Sequence, residues 1–289
     1  MTETDFQYVQ ELAARHAGIV LVRGKEYFVE SRLGSIARSA GYGTLAEFIA
    51  QLRRVPVGTP HLQAVEALCT QETSFFRDFH PFELLRQSLL PDLLRKRAAT
   101  RELRIWCGAA ATGQEPYSLA ILLREHFLQL AGWRVQILAT DLSEATLRRA
   151  RVGAYTQLEA NRGLSAALLV KYFDQDGTQW LIKDDVRSMV EFRPLNLIGS
   201  WPTLPSMDLV LMRNVLIYFD TATRQDILRR LRQVLRPDGY LLLGSAETTL
   251  HLDGSYELIQ HERVTCYSPA QVADPLADAL NRLSGLSGQ

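Results

Sequence analysis

Cysteine is scarce in this 289-residue chain: Cys69, Cys107 and Cys266 are the whole supply, an odd number with no C-x-x-C pair. That reads poorly as a disulfide framework or a cysteine zinc site, and it fits a reducing cytosol. The six histidines are scattered without ligand spacing, so no metal centre is expected. No apolar run approaches the ~20 residues that span a bilayer. The opening MTETDFQY is polar and acidic and does not read as a signal peptide. Excess charge of one sign is also missing, since 32 basic residues balance 32 acidic ones, which argues against a general nucleic-acid binder. These absences leave a soluble, cytoplasmic protein with length for one large domain or two modest ones and ample core.

The most informative stretch is Leu103 to Tyr117, LRIWCGAAATGQEPY. Leu103 to Trp106 is a short β-rich apolar run, followed by a small-residue loop between Gly108 and Gly113. Glu115-Pro116 then opens SLAILLREHF, with Pro116 suited to a first helical turn. A strand, a glycine loop and a helix follow one another, and the helix start offers free N–H groups. The Lys-Ser/Thr of a P-loop is absent, and the glycines do not form G-x-G-x-x-G. A second apolar run, Val135 to Ala139, ends at Asp141, where doubly wound sheets hold a ribose diol. Asp141 taken alone reads equally as the cap of the helix SEATLRRA. The glycine loop one βαβ unit upstream favours nucleoside binding.

Residues 1 to 90 read as helices only. Phe6, Val9, Leu12, Ala13 and His16 follow helical spacing before Gly18, and a second helix from Lys25 turns Phe28, Val29, Leu33, Ile36 and Ala37 inward. Lys25 and Arg32, a heptad apart, share its other side, most simply as a solvated face. Thr44 with Glu47 has capping-box spacing. In Gln71 to Phe82, QETSFFRDFHPF, the paired phenylalanines suggest interdomain packing and Arg77 a surface cation–π contact. A connecting helix is expected over Leu84 to Arg97. Runs from 155 to 192, broken at Asp176-Gly177 and Asp184-Asp185, read as short antiparallel strands inserted after the second α unit. The α/β pattern resumes at Met207 to Val215, with Arg213 and Asn214 at the strand tip. A helix over Arg224 to Leu235, the turn RPDG, the strand YLLLG and a final strand pair near Tyr256–Gln260 and Val264–Tyr267 follow. Residues after Pro269 form a tail.

Six ordered stretches, TSFFRD, GAAATGQEPYSLA, ILATDLS, VEFRPLNL, LVLMRNVLIYFD and LRPDGYLLLGSAE, resemble the chemotaxis-receptor glutamate methyltransferases of the CheR family. The likeness runs from Phe6 to Tyr267. It implies an α/β fold: a class I (Rossmann-like) methyltransferase domain at 84–289 after an all-helical N-terminal domain at 1–83. A small antiparallel β subdomain, inserted at 155–192, can touch the receptor, and 270–289 is the tail.

The resemblance also implies S-adenosylmethionine as cofactor and methyl transfer to glutamate carboxylates on chemoreceptor cytoplasmic helices. Thr73 and Arg77 match residues near the methionine end and the methyl path, and Glu115 matches an acidic residue near the cofactor amino acid. Asp141 matches the ribose carboxylate, Asn196 and Leu197 a pair near the adenine, and Arg213, Asn214 and Tyr218 the strand end facing the reaction centre. The catalytic candidates are therefore Arg77, Arg213 and Tyr218. The cofactor-binding candidates are Gln71, Thr73, Arg77, Gly108, Glu115, Asp141, Asn196, Leu197, Asn214 and Val215.

Gln114 stands where the family usually has glutamate, and Gln71 where asparagine is common. Gln114 removes a charge and keeps hydrogen-bonding capacity, so altered cofactor affinity is expected. In the family the helical domain presents basic residues to acidic receptor helices, which gives Lys25 and Arg32 a role in steering. A glutamate carboxylate of pKa about 4.3 is already ionised at neutral pH, so no general base is needed. Alignment can contribute up to ~7–11 kcal/mol. Arg77 or Arg213 would orient the acceptor by bidentate pairing, and Tyr218 lines the methyl path or simply packs. Two rivals remain: a methyltransferase with another substrate, and a non-catalytic adenosylmethionine-binding regulator.

Overall fold

The computed structural model describes residues 1–261 and 264–270. The expected tail beyond Ala270 lies outside the described residues. Four helices come first: α1 (Glu3–Ala17), α2 (Glu26–Ser39), α3 (Leu45–Arg54) and α4 (Thr59–Leu68). Capping boxes start two of them, Thr2 with Asp5 and Thr44 with Glu47, satisfying N–H groups that have no intrahelical acceptor. Apolar residues at helical spacing, among them Phe6, Val9, Leu33, Phe48 and Val65, close one shared core.

The connecting helix begins earlier than expected. It runs as α5 (His80–Leu84), a π-helical turn over Leu85–Leu89, and α6 (Leu90–Lys96). Pro91 has no N–H for the helical ladder, and the wider turn lies just before it.

The chain then alternates: β1 (Glu102–Gly108), α7 (Gln114–His126), β2 (Arg134–Asp141), α8 (Glu144–Val152). An insertion follows, with β3 (Ala154–Thr156), α9 (Gln157–Asn161), α10 (Ala166–Tyr172), β4 (Phe173–Asp176), β5 (Gln179–Ile182) and α11 (Asp184–Arg187). The remainder is β6 (Val190–Pro194), β7 (Met207–Met212), α12 (Thr221–Val234), β8 (Leu235–Leu243), β9 (Tyr256–His261) and β10 (Val264–Pro269).

The main sheet has seven strands in the order β6-β2-β1-β7-β8-β10-β9, parallel except where β10 runs against β8 and β9. Alternate residues face opposite layers. Ile105, Cys107, Ile137 and Leu209 belong to one core, while Trp106, Leu138, Val210 and Met212 belong to the other. The chain moves outward from β1 to β2 and β6, then returns to the other side of β1 as β7. That reversal opens a crevice at the carboxyl ends of β1, β2 and β7.

Three expectations need correction. Val190 to Phe192 is not part of the antiparallel insertion, whose sheet is β3-β5-β4; it is the parallel edge strand beside β2, with Phe192 opposite Ala139. Its apolar side chains, Val190 and Phe192, are buried in the core of the main sheet. Asp184-Asp185 opens the short helix α11 and not a hairpin. The RPDG segment does not precede a strand but lies within β8, in an irregular stretch between the pairs Met207↔Leu235 and Leu209↔Tyr240. Core membership is also informative, because Phe75 and Phe82 join the sheet core and not the helical one. Phe75 packs edge-on against Tyr155 and Phe173 of the insertion, at 5.0 and 5.5 Å between ring centroids.

Candidate active site

The crevice at the switch point is lined by Gln71, Thr73, Arg77, Glu115, Asp141, Asn196, Leu197, Arg213, Asn214, Val215 and Tyr218. Every candidate named from the sequence is among them except Gly108, which ends β1 opposite Thr140 beneath the loop. The helical domain supplies a wall as well: Ala17, Ile19 and Cys69.

Asp141 sits at the tip of β2 and is buried. Its Oδ2 accepts from Ala111 N at 2.9 Å and its Oδ1 from Ser143 N at 3.0 Å. It is not the helix cap, since Ser143 caps α8 by accepting from Thr146 N at 3.2 Å. Burial pushes the Asp141 carboxyl above its ordinary range, while the backbone donors pull the other way.

Glu115 lies in the first turn of α7. Burial raises its carboxyl too, against the opposing charge of Arg213. Arg213, at the end of β7, donates from Nη1 to Glu115 Oε2 at 2.6 Å and from Nη2 to Asp78 Oδ2 at 2.7 Å and Arg77 O at 3.1 Å. Its fork is thus occupied, and a free bidentate grip on an acceptor carboxylate is not available to it. Arg213 also makes the cation–π contact expected of Arg77, over Phe82 at 5.9 Å. Arg77 donates to Glu72 O at 2.8 Å from Nη1.

Asn196 lines the crevice with its side chain committed: Nδ2 donates to His16 O at 2.7 Å, and Oδ1 accepts from Ile198 N at 3.1 Å. Tyr218 packs against the helical core and accepts from Val20 N at 2.9 Å through its carbonyl. Gln114 is buried behind the loop, off the crevice wall, where its Oε1 accepts from Thr112 Oγ1 at 2.8 Å. The sequence departure at Gln114 therefore alters the loop's interior and not the lining.

Backbone strain gathers at the same place. Phe76, Asp78 and Phe79 have φ of 47°, 69° and 47°, Ala109 and Ala111 54° and 47°, and Asn214 59°. Such non-glycine conformations cost about 1–3 kcal/mol each and persist where the surroundings over-determine them. The segment at Phe76 is tethered by its N–H to Ser118 Oγ at 2.9 Å.

Among the described residues, Gln71 Oε1 and Arg213 Nε on this wall are buried without a hydrogen-bond partner. Satisfying such groups is what a polar ligand does. The lining fits a nucleoside with an amino-acid tail, given a carboxylate at the tip of the second strand, small loop residues and a helix N-terminus.

Residues 71–265 match the family model for the CheR methyltransferase SAM-binding domain, and residues 4–63 match that for the CheR methyltransferase all-alpha domain. The chain belongs to the CheR methyltransferase family. Chemotaxis protein methyltransferase 1 of Pseudomonas aeruginosa is 41% identical over 260 residues, spanning 89% of this chain and 94% of that protein. Chemotaxis protein methyltransferase Cher2 of Pseudomonas putida is 38% identical over the same shares. The chemotaxis protein methyltransferase of Escherichia coli is 34% identical over 89% of each chain. Membership of this family gives S-adenosylmethionine as the cofactor and implies methylation in chemotaxis.

Sequence reasoning missed Asp78, which shares the fork of Arg213, and the wall residues Ala17 and Ile19. Asp78 had a signal in the Arg-Asp dipeptide of TSFFRD. Ala17 and Ile19 had only Gly18 between them, a helix stop at φ 71°.

Proposed function

We propose that the protein transfers the methyl group of S-adenosylmethionine to glutamate side chains on the cytoplasmic helices of chemoreceptors, acting in the cytoplasm. The observation that carries this reading is the meeting of Asp141, Glu115 and Arg77 on one cleft at the switch point of the sheet. Asp141 would hold the ribose, Glu115 and Thr73 the methionine end, and Leu197 with Asn196 the adenine side. Gly108 shapes the floor, and Gln71, Asn214 and Val215 complete the enclosure. The bound cofactor supplies an activated methyl on a sulfonium.

The protein's own task is alignment. The acceptor carboxylate is ionised at neutral pH and needs no base, and an enclosed cleft that fixes its approach gains from effective molarity. Arg77 has the freer guanidinium and is the better candidate for orienting the acceptor, while Arg213 positions Glu115 and Asp78. Tyr218 borders the methyl path. We place the helical part up to Leu68, with its own core, in receptor contact, and the chain from Gln71 onward in methyl transfer.

Lys25 and Arg32 are exposed on α2. Arg32 borders an open groove that shares Cys69 and Gln71 with the cleft. This arrangement supports an acidic helix entering along α2. Labelled methyl transfer from the cofactor to a chemoreceptor cytoplasmic fragment, followed by base lability of the product, tests the reading. A base-stable product or an unlabelled fragment would overturn it.

A further inference from the structure

Glu247 lies beyond the end of β8, off the cleft wall, and its carboxylate is surrounded by backbone. Oε2 accepts from Asn214 N at 2.7 Å and from Gly244 N at 2.6 Å. Oε1 accepts from Val215 N at 2.8 Å and from Ile217 N at 3.3 Å. The segment so gripped carries Asn214, Val215, Ile217 and Tyr218 into the cleft.

Local structure gives that segment little rigidity. It starts past the last ladder pair, Met212↔Leu243, passes through Asn214 in the left-handed region at φ 59°, and holds only a single 3-10 turn over Leu216–Tyr218. Gly244 shows how tight the joint is, since a Cβ there would stand 2.7 Å from Glu247 Oε2 and 2.8 Å from Asn214 N. The ends of β7 and β8 are therefore tied by one carboxylate after their own pairing has stopped.

We propose that Glu247 is a positioning residue for methyl transfer, its two carboxyl oxygens fixing the backbone from Asn214 to Ile217 and thereby the places of Asn214 and Tyr218 at the reaction centre. This inference rests on the methyl-transfer reading of the cleft. A carboxylate accepts only and offers about four lone-pair sites, matching the N–H groups it meets. Glutamine has one acceptor oxygen, and its NH₂ would face backbone donors. Aspartate keeps both oxygens on a stem one methylene shorter.

The test compares wild type, Glu247→Gln and Glu247→Asp by single-turnover methyl transfer to a receptor cytoplasmic fragment at saturating cofactor. Binding of S-adenosylhomocysteine by calorimetry and thermal unfolding are measured on the same samples. The glutamine variant should transfer at least roughly tenfold more slowly per folded molecule at saturating cofactor, with affinity for S-adenosylhomocysteine falling by clearly less than the rate, since Asp141 and its donors are untouched while Asn214 and Val215 border the cofactor. The aspartate variant should recover part of the rate. Normal transfer per folded molecule in Glu247→Gln overturns the proposal, as does a loss of affinity as large as the loss of rate. Should the glutamine variant not fold, Glu247→Asp decides by the same comparison. Wild-type transfer separates the two failures: an active wild type with an indifferent variant overturns Glu247 alone, and an inactive wild type overturns the reading beneath it.

Discussion

Arg213 Nη1 and Glu115 Oε2 stand 2.6 Å apart, with the arginine side chain 1% exposed and the glutamate 12%. The same guanidinium reaches Asp78 at 2.7 Å, so the end of β7, the start of α7 and the strained stretch around Phe76 meet on one side chain. Arg77 lines the same crevice, so the two carboxylates of this cluster face two guanidinium groups. Arg213 is thus a strut of the site before it is anything else.

Removing the strut should unfasten more than one contact. Arg213→Ala should lower stability by about 3–5 kcal/mol, because Glu115 would remain buried without a partner. Adding Glu115→Ala to that variant should recover part of the loss, since residues sharing one network do not act additively. Urea unfolding of both single variants and the double variant measures this. Strictly additive losses would show that the pair is not energetically coupled.

If Asp141 holds the ribose, as proposed, it ties cofactor affinity to pH. Its folded carboxyl is raised above the ordinary value of about 3.9 by burial, and the ribose-binding role needs the ionised form. Affinity for S-adenosylhomocysteine should therefore rise as pH increases through the raised value, with proton release on binding there. Asp141→Asn should abolish that dependence and weaken binding by ~1.5–3 kcal/mol. The stability sign is opposite. A carboxyl raised by folding keeps its proton longer than in the unfolded chain, so the contributions of Asp141 and Glu115 are fullest below the unfolded values and are lost as pH rises through the folded ones. Calorimetry in buffers of different ionisation enthalpy would detect the proton, and its absence across the acid range would remove Asp141 from the ribose site.

Much of the cleft was legible because its parts are local. The strand–loop–helix over Leu103 to Tyr117 and the acid ending the next strand are read from residue types and periodicity within short windows. What was not legible depends on partners far apart in sequence. Val190 to Phe192 looks like any short β run, and only its pairing with β2 makes it an edge of the main sheet. The free fork assigned to Arg213 failed for the same reason, as Asp78 and Glu115 lie 135 and 98 residues away. The cap reading of Asp141 failed more locally, because Ser143, two residues on, is the better-placed cap.

Arg77 lines the cleft with one terminal nitrogen tied to Glu72 O. If its planar fork arranges the incoming carboxylate, Arg77→Lys keeps the charge and loses two-point geometry. Transfer should fall roughly 10- to 100-fold, nearer to Arg77→Ala than to wild type. A residue that only secures the fold would behave otherwise, lowering the unfolding temperature while leaving turnover per folded molecule intact. Single-turnover transfer beside thermal unfolding distinguishes the cases, and normal turnover in the alanine variant ends the assignment.

Lys25 and Arg32 test whether the helical domain recruits the acceptor. Lys25 stands at the N-terminal boundary of α2, and Arg32 lies one heptad along it with its guanidinium 5.4 Å from the Phe28 ring centroid. Exposed charges act through solvent over a screening length of about 8 Å at physiological salt, so their contribution should appear in association rate and fade as salt is added. Replacing both with glutamate should slow association with a receptor fragment by roughly tenfold or more at low salt and flatten the salt dependence. Affinity for S-adenosylhomocysteine should stay unchanged. Loss of the Arg32–Phe28 stacking would lower stability by only ~0.5–1 kcal/mol, too little to unfold the domain and confuse the reading. Stopped-flow association across ionic strengths is the measurement. A rate that matches wild type at every salt concentration would mean that α2 presents an ordinary solvated face, and the acceptor's approach would have to be sought elsewhere on the rim of the cleft.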